Sequence, residues 1–331
     1  MGVYINGIGI VSRCACSEEE LKQLLSDRTV QYRTLPLDFP IDIPSAKLRR
    51  NSRYNKMACA AADQALKDAG IPDMLSSGLD SHRVGTIIST GYGAAEYNVL
   101  FADSVVKGEP NACSPAVFSG SVPNSCVGQI CIINNLKGFS TVLAGGDPVE
   151  YSALLLNTQR ADFLLTGSVE EYYPALYEAF GIIEAAKGCD LSEGAAMAVL
   201  SAKKTDNSYC AVTRSAGINL GKSPYLHLFP DHEELRTKIS GVLEQFSEPD
   251  ICYTALNGTW FDPIEEAALR QQFPHTKLMN PKEKFGETLG ASYMMNILLA
   301  AAAIRHTPTP RILCTALDLI GNYTCTMLEK C

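Results

Sequence analysis

The chain has 331 residues, a net charge of −8 and a pI of about 5.2. This acidity argues against a binding surface for nucleic acid or an anionic membrane, and an acidic carrier partner would have to meet a local basic patch. No apolar run reaches the roughly 18 residues that span a bilayer, and the first residues lack the charged start and cleavage site of a signal peptide. We therefore expect a cytoplasmic protein that binds neither nucleic acid nor membrane.

Twelve cysteines are scattered along the chain, mostly within apolar stretches. Cys14 and Cys16 stand close together, but no second pair at a zinc-binding spacing follows them. Reduced, buried thiols that pack as small hydrophobic side chains are the simpler interpretation. We therefore expect neither a metal ion nor a cofactor.

Strand and helix signals alternate from the start of the chain. A strand at 3–11 is followed by a short helix capped by Ser17 and Glu20, a proline-containing loop at 31–50 and an alanine-rich helix at 54–69. The next strand is predicted at 84–89. The glycine-containing loop after it lacks the continuation of a phosphate-binding fingerprint.

Residues 138–156, GFSTVLAGGDPVEYSALLL, predict a strand, a tight elbow at Gly145 and Gly146, and a helix with Asp147 at its N-cap and Pro148 at its first position. The first backbone N–H groups of a helix lack partners within it, so such an elbow attracts anions and often carries a nucleophile. Here the residue at the bend is an aspartate. It should stay ionised, which makes it a good cap and a poor nucleophile toward a thioester.

The rest of the chain repeats the alternation. Further strands are predicted at 162–167, 192–202, 210–218, 251–256, 276–280, 312–316 and 323–328, and helices at 174–186, from about 232, after the loop that begins at 257, and within 280–306. The last of these helices is apolar nearly all round and should be buried in the middle of the molecule. We predict a duplicated α/β unit, two sheets back to back with helices between and outside them, rather than a single open sheet.

Six segments, in the same order and over nearly the whole chain, resemble the β-ketoacyl synthases, the condensing enzymes of fatty acid and polyketide synthesis. They are VYINGIGIVS, SRYNKMACAAADQALKDAG, SPAVFSGSVPNSCVGQICIINNLKG, SEGAAMAVLSAKK, NGTWFDPIEEAAL and NPKEKFGETLGA. The resemblance implies a thiolase-like α/β fold, with duplicated βαβαβαββ halves in a five-layer α-β-α-β-α arrangement. It also implies an N-terminal half at 1–205 and a C-terminal half at 206–331 within one compact unit.

The resemblance also identifies the positions of the family's catalytic groups. The family uses a cysteine at the elbow as acyl-accepting nucleophile, and two histidines that stabilise the oxyanion and drive decarboxylation. By resemblance these positions hold Asp147, Asn257 and Glu287, and the family's lysine is retained as Lys282. The family's glycine-rich gating loop is replaced by DLIGNYT, which begins at Asp318.

These replacements argue against condensation by this chain alone. Decarboxylation and condensation build negative charge, which two carboxylates would repel, and loss of one oxyanion donor alone costs about 10²- to 10³-fold in rate. We interpret Asp147 as a helix cap and Glu287 as the ion-pair partner of Lys282. Asn257 is interpreted as a turn residue tolerant of left-handed geometry.

A condensing-enzyme fold with an emptied site resembles the chain length factors of type II polyketide and aryl-polyene-like systems. This implies a catalytically silent subunit that forms a heterodimer with an active ketosynthase, shapes the acyl tunnel and meets an acyl carrier protein. Residues 114–138 and 139–143 should carry the interface. Two alternatives stay open: a rebuilt site of Asp147, Glu287 and Lys282 for acyl transfer or thioester hydrolysis, and a homodimeric scaffold that binds no acyl chain.

Overall fold

The computed structural model describes residues 2–26, 32–108, 113–227 and 231–331; residue 31, the start of the predicted proline-containing loop, lies outside them. The strands are β1 (Val3–Val11), β2 (Val84–Thr90), β3 (Ser140–Ala144), β4 (Phe163–Glu170), β5 (Gly194–Ser201), β6 (Cys210–Asn219), β7 (Ile251–Tyr253), β8 (Lys277–Met279), β9 (Arg311–Leu317) and β10 (Asn322–Glu329). The helices are α1 (Glu18–Leu25), α2 (Ser45–Leu48), α3 (Arg53–Asp68), α4 (Ile71–Ser76), α5 (Ala95–Val106), α6 (Pro115–Ser121), α7 (Ser125–Asn134), α8 (Pro148–Asn157), α9 (Pro174–Ile182), α10 (His232–Leu243), α11 (Asp262–Gln272), α12 (Lys282–Phe285) and α13 (Ser292–His306).

In the described residues the strands form one ten-stranded mixed sheet in the order β3-β2-β4-β5-β1-β6-β10-β9-β7-β8. Both halves have the same internal order: third, second, fourth, fifth and first strand. In each half the fifth strand is antiparallel to its two neighbours, and the second strand is parallel to the third and fourth. This repeat confirms the predicted α/β duplication.

The two halves are joined rather than separate, which differs from the prediction of two sheets. Val3, Tyr4 and Ile5 of β1 pair with Val212, Ala211 and Cys210 of β6. The first strand of each half lies innermost, so the two strands meet and continue the hydrogen bonding. The division of the chain into an N-terminal and a C-terminal half at residue 205 stays a proposal.

Helices α8 and α13 lie between the two halves of the sheet. α8 packs against β1, β2, β4 and β5 of the first half and β6 of the second, and α13 packs against strands of both halves. Every residue of α13 from Ser292 to Ile304 is buried, as its nearly uniform apolar sequence predicts. On the outer faces, α3 packs on β1, β4 and β5, and α10 on β6 and β10. These helices form the outer and central layers of the predicted arrangement.

Some helices lie where the sequence predicted loops. α2 lies within the predicted loop at 31–50, and α4 follows α3 after Gly70, which has a φ of 71°. α5 follows the glycine-containing loop after β2 and buries none of its residues, so no apolar stripe marks it in the sequence. β7 covers only the start of the strand predicted at 251–256, because the chain then turns into the loop before α11.

The two edges of the sheet differ in length and surroundings. β3, at one edge, has five residues and pairs with β2; β8, at the other, has three and pairs with β7. α7 packs against β3, and the helices α5 to α8, which precede and follow this strand in the chain, expose large apolar side chains. We call β3 and these helices the β3 surface, and its most exposed apolar residues are Leu100, Val105, Val106, Phe118, Ile132 and Leu154.

The described ranges contain no single membrane-spanning helix and no metal-binding cluster of side chains. No single helix there is long and apolar enough to cross a membrane; α6 and α7 reach that length together but meet at a bend of 100°. Apart from Cys113, the cysteines are free thiols. No group of three or more His, Cys, Asp or Glu side chains in these ranges is arranged to hold a metal ion.

Candidate functional site

The elbow lies where the sequence predicts it, between β3 and α8. Gly145 and Gly146 have φ values of 78° and 82°, left-handed values that glycine adopts without steric cost. Asp147 follows as the N-cap, and Pro148 begins α8. The elbow therefore points the first N–H groups of α8 toward the end of the sheet, where an anion would bind.

The carboxylate of Asp147 is fully engaged within the protein. Its Oδ1 accepts hydrogen bonds from the backbone N–H groups of Val149 at 2.8 Å and Glu150 at 3.0 Å, which confirms the predicted N-cap. Its Oδ2 accepts from the hydroxyl of Ser215, and the hydroxyl of Tyr293, which hydrogen-bonds to Thr326 at 2.6 Å, lies close to this carboxylate. Burial raises the pKa of Asp147, and these hydrogen bonds oppose the rise. The group acts as a structural cap.

A second carboxylate occupies the turn itself. Asp318, in the loop between β9 and β10, accepts a hydrogen bond of 3.0 Å from the backbone N–H of Gly146. Its other oxygen accepts from the N–H groups of Ile320 at 3.0 Å and Asn322 at 2.8 Å. A side chain at Gly145 would meet Asp318 Oδ2 at 2.7 Å. The chain therefore places its own carboxylate against the elbow.

Lys282 and Glu287 form a buried ion pair, as the sequence predicts. Their Nζ and Oε2 atoms are 2.6 Å apart, and the side chains are 6% and 2% exposed. Lys282 Nζ also donates to the carbonyl of Ala255 at 2.9 Å. Glu287 Oε1 accepts from the N–H of Leu289 at 2.7 Å and the hydroxyl of Ser292 at 2.6 Å. The two charges neutralise each other, and their remaining hydrogen bonds go to fixed protein groups.

Asn257 shapes the loop between β7 and α11. Its Oδ1 accepts from the N–H of Thr259 at 3.2 Å and from the Thr259 hydroxyl at 2.6 Å, so it is a turn residue, as predicted. The left-handed residue of this turn is the next one, Gly258, which has a φ of 82°. A Cβ at position 258 would lie 2.2 Å from the carbonyl oxygen of Gly188, so only glycine fits there.

Tyr225 fills the space between Asn257 and Glu287. It is 2% exposed, its hydroxyl accepts a hydrogen bond of 3.4 Å from Asn257 Nδ2, and it lies close enough to Glu287 to sense the charge of that carboxylate. Its ring packs edge-on against Phe180, with 5.3 Å between centroids. Burial and the charge of Glu287 raise the pKa of Tyr225 well above its usual value, so it is a neutral phenol. No sequence signal identifies this residue, because the surrounding GKSPYLH has no regular pattern.

Glu265 is a second buried carboxylate, connected to the Lys282 and Glu287 pair through Ala255. It is fully buried, and it accepts hydrogen bonds from the N–H of Ala255 at 3.0 Å and the hydroxyl of Tyr323 at 2.9 Å. Burial raises its pKa to about 7. The carbonyl of Ala255 receives Lys282, so Glu265 and Lys282 are connected through one residue.

The start of α13 joins the elbow to this pocket. Two consecutive residues face opposite ways: Ser292 donates to Glu287, and Tyr293 lies beside Asp147 and hydrogen-bonds to Thr326. No hydrogen bond among the described residues joins Asp147 to Glu287 directly. The four predicted site residues thus lie in one region as two linked sets, which are Asp147 at the elbow and Asn257, Lys282 and Glu287 around Tyr225.

The site can hold loops in place more readily than it can form a carbon–carbon bond. A condensing reaction needs a nucleophile for the acyl group and hydrogen-bond donors where the oxyanion forms. Here two donors in the region are already engaged, the N–H of Gly146 by Asp318 and the ammonium group of Lys282 by Glu287.

The duplicated strand order, the elbow and the pocket between the halves define a protein of the thiolase fold. Residues 38–171 match the family model described as Beta-ketoacyl synthase, N-terminal domain. Nodulation protein E of Rhizobium leguminosarum bv. trifolii is 23% identical over an alignment of 305 positions, which covers 81% of this chain and 74% of the relative.

Solved structures match over the full length. A type II polyketide acyl-carrier protein in complex with its ketosynthase bound to the hexaketide, AntDE:AntF, matches with a TM-score of 0.82 at 16% identity and covers 100% of this chain and 99% of that chain. The ishigamide ketosynthase/chain length factor matches with a TM-score of 0.81 at 17% identity and covers 100% of this chain and 99% of that chain. The ketosynthase ApeO in complex with its chain length factor ApeC from Xenorhabdus doucetiae matches with a TM-score of 0.78 at 15% identity. This match covers 100% of this chain and 98% of that chain. The chain therefore has the fold of these proteins, and residues 38–171 match the ketoacyl synthase family, in agreement with the resemblance of the six segments.

Proposed function

We propose that this chain is a non-catalytic subunit of the chain length factor type, which pairs with an active ketosynthase in fatty acid or polyketide biosynthesis and shapes its acyl tunnel. The observation that carries the proposal is Tyr225, whose side chain closes the pocket between Asn257 and Glu287. By resemblance, the nucleophile and the two histidines of an active enzyme would stand at Asp147, Asn257 and Glu287. An active centre would leave this space open for a thioester.

The β3 surface supports a protein partner. An edge strand leaves one side of its backbone without ladder hydrogen bonds, which a second chain can satisfy. Phe118 and Ile132 beside it are 57% and 77% exposed, and contiguous apolar exposure of this kind marks interaction sites. The predicted interface, 114–143, contains α6, α7 and β3. Two of the similar solved structures pair a ketosynthase with a chain length factor, which favours a ketosynthase as the partner.

A basic patch next to this surface supports an acidic carrier protein as a second partner. Lys47, Arg49 and Arg50 are exposed, and Lys56 is half-buried beside them. In the described ranges none of the four forms an ion pair within the chain. The side chain of Gln129 on α7 donates to the carbonyl of Lys47 at 3.0 Å, so the patch borders the β3 surface. In a chain of net charge −8, this local excess of cations would steer an acidic partner to one place.

Co-expression with the ketosynthase encoded by a neighbouring gene, followed by size-exclusion chromatography, tests the proposal. We expect the two chains to elute together and the complex to condense malonyl- and acyl-carrier thioesters. The purified chain alone should release no product. Condensation by this chain alone would overturn the proposal.

The alternatives are distinguished with the same samples. A rebuilt catalytic site predicts acyl transfer or thioester hydrolysis by the chain alone, and Glu287→Gln would then abolish that turnover. A homodimeric scaffold predicts a dimer that persists in the presence of the ketosynthase and protects no acyl-carrier thioester. Either result would contradict the proposed role.

A further inference from the structure

A cavity of about 410 Å³ lies at the edge of the sheet opposite β3, where α1 and α13 meet β7 and β8. Leu25, Ile251, Met279 and Leu299 contribute apolar walls. Its volume falls within the range of about 300–1,000 Å³ that is typical of small-molecule sites. None of the four candidate site residues lines it, so it is a separate feature of the molecule.

Tyr253 gives the cavity a polar group in its interior. Its side chain lines the cavity, and the residue is only 2% exposed. No residue in the described part of the chain hydrogen-bonds to its hydroxyl. The hydroxyl of Tyr253 is therefore accessible from the cavity, where it can hydrogen-bond to an oxygen or nitrogen atom of a bound molecule.

Lysine side chains give the rim of the cavity a positive charge. Lys277 of β8 lies directly opposite Ile251 in the strand register, is exposed, and forms no ion pair within the described residues. Lys284 also lines the cavity and donates to the carbonyl of Leu24 at 3.0 Å. Glu283 is the acidic residue of this lining, so the lysines outnumber it.

The spacing of these groups defines the ligand. Tyr253 lies two residues beyond Ile251 along β7, which is about 7 Å, and Met279 lies opposite it. A cation at the rim and a phenol inside are thus separated by a short apolar wall. This arrangement fits an amphipathic molecule that has an anionic end, an apolar middle and a second polar end.

We propose that this cavity binds a medium-chain carboxylic acid that carries a hydroxyl or carbonyl oxygen at its far end. Its carboxylate pairs with Lys277, its chain lies between Ile251 and Leu299, and its second oxygen hydrogen-bonds to the hydroxyl of Tyr253. The site lies at the edge remote from the β3 surface and does not depend on the proposed pairing with a ketosynthase.

Isothermal titration of the full chain with 8-hydroxyoctanoate, octanoate and 1-octanol tests this site. We expect 8-hydroxyoctanoate to bind most tightly and octanoate about 3- to 10-fold more weakly, because it lacks one hydrogen bond. Tyr253→Phe should bind the hydroxy acid no more tightly than octanoate. Lys277→Ala should weaken both acids and leave octanol unchanged.

Two further variants separate binding in the cavity from binding elsewhere. Ala303→Leu places extra volume in the cavity and should abolish binding of all three probes, whereas Lys203→Ala, an exposed lysine outside the cavity, should leave their affinities unchanged. If Ala303→Leu does not fold, Tyr253→Phe, which keeps the ring, carries the test. The proposal is overturned if the folded chain binds neither acid, or if Tyr253→Phe retains the preference for the hydroxy acid.

Discussion

The carboxylate of Asp318 accepts a hydrogen bond of 3.0 Å from the backbone N–H of Gly146, across 172 residues of sequence. A loop of the second half of the fold thereby contacts the elbow of the first. In an elbow that binds an external anion, this N–H would be available to the ligand. Here the contact is internal, and it holds the loop between β9 and β10 against the start of α8.

Replacing Asp318 should therefore reduce stability. Asp318→Ala removes an acceptor for three backbone N–H groups, and hydrogen bonds to a charged acceptor contribute about 1.5–3 kcal/mol each in favourable cases. Because Asp318 is half-buried, we expect a loss of about 1–3 kcal/mol in the free energy of unfolding, measured with urea. Asp318→Asn keeps one acceptor oxygen and should lose less. If Asp318→Ala caused no loss of stability, the carboxylate contacts would not stabilise the fold.

Replacing only one partner of the Lys282 and Glu287 ion pair should lower the free energy of unfolding strongly. Lys282→Met leaves Glu287 charged and buried, which typically costs about 3–5 kcal/mol. Lys282→Met combined with Glu287→Gln removes both charges, so we expect the double variant to recover part of that loss. Denaturant unfolding of the two single variants and the double variant gives the coupling energy.

A matched surface pair provides the control for this experiment. Lys187 and Glu184 also form an ion pair, but both side chains are more than half exposed. Lys187→Met should change stability by no more than about 1 kcal/mol. If Lys282→Met were equally mild, the pair would not be a buried structural element in solution.

Glu265 should make stability depend on pH. Its pKa is about 7 in the folded chain and near 4.5 when unfolded, so the folded state holds this proton more tightly. The contribution of this protonation to the free energy of unfolding is fully present below about pH 4.5. It falls as the pH rises to about 7 and then stays constant. Glu265→Gln does not titrate, so from pH 4.5 to 7 its stability relative to wild type should rise by up to about 3 kcal/mol.

Thermal or urea unfolding at a series of pH values measures this difference. Glu178→Gln, at an exposed position, serves as the control and should follow the wild type at every pH. A constant offset between Glu265→Gln and wild type would contradict the prediction, because it would mean that Glu265 titrates equally in both states.

Charged substitutions on the β3 surface should prevent partner binding without unfolding the chain. Phe118→Asp and Ile132→Asp place a carboxylate at apolar side chains that are already exposed, so the fold loses little. We expect the variants to elute alone in the co-expression experiment. Ile182→Asp, at an 83% exposed position on α9, is the matched control and should still co-elute with the ketosynthase. Loss of the complex in all three variants would place the interface elsewhere.

Charge reversal in the basic patch should weaken carrier binding. Lys47→Glu with Arg50→Glu removes two cations and adds two anions, and we expect about a tenfold or greater loss of affinity at low salt. The difference should shrink as ionic strength rises, because exposed charges are screened. Lys203→Glu with Lys204→Glu makes the same change in net charge at exposed positions outside the patch. Equal weakening by both pairs would indicate a general charge effect.

Local patterns predicted much of the architecture because those elements have strong local causes. The β-branched run of β1, the glycines and aspartate of the elbow, and the uniform apolarity of α13 each specify one local structure. The pairing of Asp147 with a helix N-terminus and of Lys282 with Glu287 followed from short sequence separation. These contacts are determined within a few residues, so a pattern can reveal them.

The missed contacts join distant parts of the chain. Tyr225 reaches Asn257 and Glu287 from an irregular segment, and Ser215 reaches Asp147 from β6. Their roles depend on how the two halves pack together. A pattern of neighbouring residues in the sequence does not predict that packing. The left-handed residue of the turn at Asn257 is Gly258 for the same reason, since the approach of Gly188 decides it.

The duplication has a consequence for how many copies can assemble. β3 and β8 are equivalent strands of the two halves, and a molecule with two equally adhesive edges would add copies head to tail and grow into a filament. Here β3 is five residues long and lies beside α7, which exposes Ile132. β8, in contrast, is three residues long and begins with Lys277, features that discourage strand addition. We therefore expect growth to stop after one partner joins.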